Sequence, residues 1–224
     1  MIKKYARIVV VVILVRYEFD RKFAILKILN HPCLWAFSDL ITMIATYKWT
    51  IERYHRAIDA GLFDDQPVEL LRGDIVVMPP ERETHAYYNS EVGDYLRVLL
   101  GNRVKIREAH PITLPNDSEP IPDLAIVKPL GAVYLEHHPY PDDIFWLIEF
   151  SNTTLDKDLN EKKAVYGEAG IAEYWVVNLL DRELKVFRDL ENGRYTTERT
   201  FKTGLVSSLA FSDVQIQVQR LMNP

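Results

Sequence analysis

Ile144-Phe145-Trp146-Leu147-Ile148-Glu149-Phe150 is the stretch on which the fold turns. Six of its seven residues are apolar, the pattern of a strand covered on both faces. An ionised carboxylate inside such a strand is costly unless it is paired or binds a metal. Two readings of Glu149 are therefore open. It stands at the strand's frayed end, in solvent beside Ser151 and Asn152, or it is buried for a chemical purpose.

Upstream, Pro122-Asp123 opens a second apolar strand, Leu124 to Val127. Turn chemistry alone accounts for Pro-Asp in a loop. If the two strands pair as neighbours, however, Asp123 and Glu149 converge. Two convergent carboxylates make an oxygen-rich site suited to Mg²⁺ or Mn²⁺ rather than zinc.

Downstream, a helix is expected from Thr153 to Ala169. On a wheel of 100° per residue, Leu159, Lys162, Tyr166 and Ala169 all fall within about 40° of Leu155. Lys162 thus lies inside the apolar stripe, an unusual place for lysine. It either snorkels to water, pairs with Asp158 one turn earlier, or faces the two carboxylates. Tyr166 and Trp175 read as core aromatics.

Further elements complete a mixed α and β chain. Thr50 is placed to cap a helix ending near Gly61, and Val68 to Met78 reads as a hairpin turning at Arg72-Gly73. Thr84 is placed to cap a helix ending at Gly101. Strands are expected at 104–107, 112–114, 174–178, 184–188, 195–200 and 214–218. These elements imply a three-layer α/β (α+β) domain.

The chain has 224 residues, 48% apolar and 26% charged, with a net charge of −5 and one cysteine, Cys33. That balance excludes whole-chain disorder and a disulfide scaffold, and disfavours a protein that coats nucleic acid through a positive field. No glycine-rich phosphate loop is present, which disfavours P-loop nucleotide hydrolysis. Residues 1–42 carry a net charge of +4 and the remainder −9. The apolar run Ile8 to Val15 suits a strand, and 33–47 a short helix. Eight residues cannot cross a membrane core, which needs about 20. Lys3 and Lys4 precede the run, but Arg16-Tyr-Glu-Phe-Asp stands after it in place of a cleavage site, so no membrane partner and a cytoplasmic location are expected. The division expected is an extension at 1–42, upstream of a native start at Met43, and a domain at 43–224.

Pro122-Asp123, Glu149 on its strand and a nearby lysine resemble the PD-(D/E)XK nuclease signature, although Ser151 stands where that lysine is usual. The block Ser151-Asn-Thr-Thr-Leu-Asp-Lys-Asp158-Leu-Asn-Glu-Lys162-Lys-Ala-Val-Tyr166, with Ala169-Gly170-Ile171 and Glu173-Tyr174-Trp175, closely resembles the Uma-two family of restriction-endonuclease-like proteins. Glu69-Leu-Leu-Arg-Gly73-Asp74, Met78-Pro79-Pro80 and His85 resemble that family's opening. The similarity begins near Trp49 and leaves out residues 1–42.

The resemblance implies a restriction-endonuclease-like core, a mixed β-sheet flanked by helices, and a metal-dependent endonuclease acting on DNA. Asp123 and Glu149 would hold Mg²⁺ (or Mn²⁺), and the migrated lysine matches Lys162, which would orient water or stabilise charge on the phosphate. Glu69, His85 and Asp158 are supporting candidates: a further metal contact, a phosphate or proton contact, and a partner for Lys162. Solvation at a strand edge accounts equally for Glu69, and a polar first turn for His85. A homodimer is the geometry expected for cutting two strands. The alternative is a catalytically inactive module that binds nucleic acid or a protein partner.

Overall fold

Alternating apolar runs and glycine-marked turns build the chain as read over most of its length. A computed structural model describes residues 46–152 and 154–224. The expectations for residues 1–42, for Met43 as the native start and for Cys33 lie outside the described residues.

The first helix, α1 (Ile51–Asp59), is capped by Thr50, whose side chain accepts a hydrogen bond from the Arg53 amide. A hairpin comes next, β1 (Val68–Leu71) and β2 (Asp74–Val77), paired antiparallel. Its turn places Arg72 at φ 48° and Gly73 at φ 75°, the left-handed pair that suits a two-residue hairpin. A Cβ on Gly73 would stand 2.9 Å from the Trp49 carbonyl oxygen, so the residue also admits the chain packed against it.

The long helix α2 (Glu83–Leu100) buries Asn89, Val92, Gly93, Leu96 and Leu100. Its cap differs from expectation: Thr84 lies inside the first turn, and Arg82 occupies the cap position without a side-chain cap.

The main sheet has six strands: β3 (Lys105–Glu108), β4 (Leu124–Val127), β5 (Ile144–Ser151), β6 (Tyr174–Asn178), β7 (Glu183–Glu191) and β8 (Arg194–Phe201), in spatial order 3-4-5-6-7-8. Only β5 and β6 run parallel. Between them passes a helix of residues 155–168: α3 (Leu155–Lys157), a π segment (Asp158–Lys162) and α4 (Lys163–Glu168). A short pair, β9 (Leu205–Val206) and β10 (Ile216–Gln217), and helix α5 (Val218–Met222) close the chain.

Two expectations are corrected. Ile112 and Leu114 are buried, but no strand forms there: Leu114 makes one isolated bridge to Ser118, and the Ile112 amide bonds the Pro120 carbonyl. Local loop closure thus replaces a ladder. The expected strand at 214–218 shrinks to β10, because Val218 begins α5.

Each sheet face is apolar. On one, Trp146, Ile148 and Trp175 pack with Leu96 of α2 and Leu221 of α5. On the other, Ala125, Leu147 and Val176 pack with Val165 and Tyr166 of α4 and Leu71 of the hairpin. The result is a mixed sheet flanked by helices. Side chains alternate along a strand, so Glu149 shares the face of Leu147, beneath α4 and the hairpin.

Candidate active site

Register brings the two carboxylates together. Leu124 pairs with Ile148 across the antiparallel β4–β5 ladder, so the next row outward sets Asp123 opposite Glu149. The Asp123 side chain extends that ladder: its Oδ2 accepts the Phe150 amide at 2.6 Å. The same oxygen lies 3.0 Å from Nε2 of His85, whose Nδ1 lies 3.2 Å from Glu81.

Glu149 is buried, not frayed, with 2% of its surface exposed. Its Oε1 accepts two hydrogen bonds from the helix above, from Lys162 Nζ and from the Tyr166 hydroxyl, both at 2.8 Å. The lysine therefore faces the carboxylates and does not snorkel. Its side chain is 7% exposed, and its Nζ also lies 3.5 Å from the Ile121 carbonyl.

Burial pushes the Glu149 carboxyl well above the usual carboxylate range. The charges of Asp123 and Asp158 add to the rise, while Lys162 opposes it. Burial alone would lower Lys162, but the surrounding carboxylates, Glu149 foremost and then Glu69, Asp158 and Asp123, raise it. The ammonium keeps its proton. Tyr166 is likewise held protonated by burial and by Glu149. His85 is pushed up to about 9, chiefly by its hydrogen bond to Asp123, against burial. It is a cation at neutral pH.

Asp158 is buried but does not ion-pair with Lys162 among the described residues. Its Oδ2 accepts from Ser151 at 2.7 Å and Thr154 at 2.8 Å, and it acts on the lysine through charge. Ser151 thus anchors the π segment to β5. Here π geometry replaces α over Asp158–Lys162, and the Lys163 amide reaches back to the Asp158 carbonyl. Such segments frequently mark functional positions.

Glu69 is 1% exposed and both its oxygens are engaged: Oε1 by Lys157 Nζ at 2.6 Å, Oε2 by the Ile121 amide at 3.1 Å. Burial would raise its pKa, but Lys162, Lys157 and these hydrogen bonds bring it below its ordinary value. Glu69 therefore fastens the hairpin to the helix carrying Lys162.

Two members of this group escape a reading of the sequence. Tyr166 reads there only as a core aromatic, yet it lies one turn after Lys162 on the same stripe, the signal that points its hydroxyl at Glu149. Lys157 precedes the inward Asp158 and carries no such signal.

Comparison with known proteins bears on the family and the fold. No curated protein matches the chain. Among solved structures, that of "a putative nuclease belonging to DUF820" from Anabaena variabilis ATCC 29413 superposes with a TM-score of 0.57 at 14% identity, covering 70% of this chain and 90% of that one. The likeness is one of fold. Residues 51–219 match the model of the Uma2 family, described as "Putative restriction endonuclease". The chain belongs to the Uma2 family.

Proposed function

We propose that this protein is a metal-dependent endonuclease hydrolysing phosphodiester bonds of DNA, with Asp123, Glu149 and Lys162 as its catalytic residues. The observation that carries the reading is the convergence of Asp123 and Glu149 from neighbouring strands under a protonated Lys162, 2.8 Å from Glu149.

The donor set fits a hard divalent ion. Among the described residues, Asp123 Oδ1 and Glu149 Oε2 accept no side-chain or amide hydrogen bond, which leaves one oxygen of each carboxylate for a ligand. No group of three or more His, Cys, Asp or Glu is arranged to enclose a metal among those residues. Mg²⁺ suits such a sparse site, since it keeps several waters and takes substrate phosphate as ligand. When bound by Asp123 and Glu149, Mg²⁺ or Mn²⁺ would polarise the scissile phosphate and acidify the attacking water.

The chain's own residues then divide the work. Tyr166 holds Oε1 of Glu149 in place, leaving Oε2 to the ligand side. Lys162 supplies positive charge where the phosphate becomes more negative and aligns the water that attacks phosphorus. His85 braces Asp123 at the same oxygen that accepts the Phe150 amide. Glu69 and Asp158 support these positions, through Lys157 and through Ser151. The water oxygen bonds to phosphorus, one P–O ester bond breaks, and the proton passes to the leaving oxygen. DNA is the partner of this reading, and a symmetric pair of copies the arrangement for cutting both strands.

One observation favours the alternative, a catalytically inactive module: Lys162 is sealed in its pair with Glu149, at 7% side-chain exposure. Cleavage of supercoiled plasmid with Mg²⁺ or Mn²⁺, beside an EDTA control and Glu149→Ala, separates the two. Metal-dependent nicking that disappears in the variant supports the nuclease. No cleavage of duplex or single-stranded DNA by folded protein supports the module.

A further inference from the structure

Away from the acidic pair, two cations on edge strand β3 stand without carboxylate partners. Among the described residues, neither Lys105 nor Arg107 ion-pairs with an acidic side chain, while Arg97 and Arg103 nearby are each paired. Among the described residues, the guanidinium of Arg107 makes only long contacts, to the Pro111 carbonyl at 3.5 Å and to His138 Nδ1 at 3.4 Å. Its Nε is buried and has no hydrogen-bond partner. Burial pulls the Arg107 pKa down, with no carboxylate to offset it. A half-buried, unpaired guanidinium is an unstable arrangement unless something negative completes it.

Space for that group is present. Lys105 and Arg107 line a cavity of about 390 Å³ with Asn102, Gly131 and Tyr134. The Arg107 guanidinium lies 5.5 Å from the centre of the Tyr134 ring, which forms an aromatic wall. The acidic groups felt nearby are already engaged: Glu119 by His55 and Thr113, and Asp143 by the Tyr140 amide.

The Lys105 and Arg107 side chains point to the side of the sheet that carries the candidate active site. Arg107 pairs with Ala125 and Lys105 with Val127. Since alternate residues share a face, Asp123, Ala125 and Val127 point with Arg107 and Lys105. The Arg107 row lies about 7 Å along the strands from the Asp123–Glu149 row, and the Lys105 row about 13 Å. Ala125 and Val127 between the rows are fully buried, so a strand reaching Arg107 and Lys105 would pass over the outer edge of β3.

We infer that Lys105 and Arg107, beside Tyr134, form a backbone-phosphate site for a nucleic-acid strand running from the acidic pair along β3. This rests on the nuclease reading for its ligand. The guanidinium would hold a phosphate bidentately, the ammonium the next, and Tyr134 would offer its ring to a base.

The test is binding of fluorescein-labelled single-stranded and duplex oligonucleotides to the full chain, measured by anisotropy in EDTA over a KCl series. Lys105→Gln and Arg107→Gln are compared with wild type. Circular dichroism melts check folding, and metal-dependent plasmid nicking by wild type runs alongside. Each variant is expected to weaken binding by roughly tenfold and to lower the slope of log affinity against log salt by about one. Lys105 is exposed, so its variant tests the site even if Arg107→Gln unfolds. Unchanged affinity and slope in Lys105→Gln and any folded Arg107→Gln, with wild type still nicking plasmid, would overturn the site and leave the nuclease reading standing. Reduced slopes with no nicking would support the site and remove the nuclease. Inorganic phosphate is the second probe, and its binding without oligonucleotide binding would overturn the strand assignment.

Discussion

Tyr166 and Lys162, one helical turn apart, donate to the same oxygen of Glu149, each at 2.8 Å. A buried carboxylate oxygen thus receives one charged and one neutral donor from a single helix. The arrangement allows the contribution of each donor to be separated.

Removing the charge leaves Glu149 buried and unpaired. Lys162→Met is expected to destabilise the fold by about 3–5 kcal/mol, while the double variant Lys162→Met/Glu149→Gln recovers much of that loss. Urea unfolding of the three proteins checks this; a double variant no more stable than the single one would sink it. Plasmid cleavage should be lost in both.

Tyr166→Phe keeps the ring in its packed place and deletes only the hydroxyl. We expect a loss of about 1.5–3 kcal/mol in stability, the range for a hydrogen bond to a charged group. Nicking should fall by about tenfold, since Lys162 remains. Equal cleavage by wild type and variant would assign the hydroxyl a purely structural part.

Stability on the alkaline side should report His85. Its folded pKa, about 9, is above its ordinary 6.5, so the protonated ring stabilises the fold. That contribution is complete below about 6.5 and is lost as pH rises through about 9. Urea midpoints in EDTA should fall across this window in wild type and less steeply in His85→Gln. Parallel profiles would contradict the assignment.

Glu69 should govern the acid side. Its folded pKa is lowered below the ordinary 4.5, so its contribution is present above that value and lost as pH falls through the folded one. Glu69→Gln should therefore be less stable than wild type at neutral pH, the two curves converging in acid. Fluorescence-monitored acid unfolding measures the convergence.

Metal addition offers a readout free of catalysis. Millimolar Mn²⁺ or Mg²⁺ should raise the melting temperature of wild type, because an ion that binds only the folded state stabilises it. The rise should vanish in Asp123→Asn/Glu149→Gln. An equal rise in that variant would place the ion elsewhere.

Much of this arrangement is written in local patterns. The apolar runs at 124–127, 144–150 and 174–178 coincide with β4, β5 and β6 to within a residue. Their burial on both faces leaves no other use for them. Lys162 stands out because an ammonium in an apolar stripe needs a partner, and its partner is Glu149. Thr84 misleads because threonine is suited both to a cap and to a first turn, and the extended backbone at Arg82 decides between them. Lys157 and Glu69 meet across 88 residues, a pairing that depends on how the hairpin docks and leaves no periodic trace. The π segment is equally hidden, since a wheel of 100° per residue assumes the α geometry it departs from.

That π segment has a consequence for how the site tolerates a change of chain length. A π turn holds one residue more than the α turn it replaces, so it takes up that residue without turning the helix on either side. Deleting one exposed position within it, Asn160 or Glu161, would let the helix close as α with its two ends still nearly in phase, whereas the same deletion in a continuous α-helix rotates one end by about 100°. Asp158 would stay near Ser151 and Tyr166 near Glu149. Loss of a single codon there would shorten the helix by one residue and leave its inward face in place.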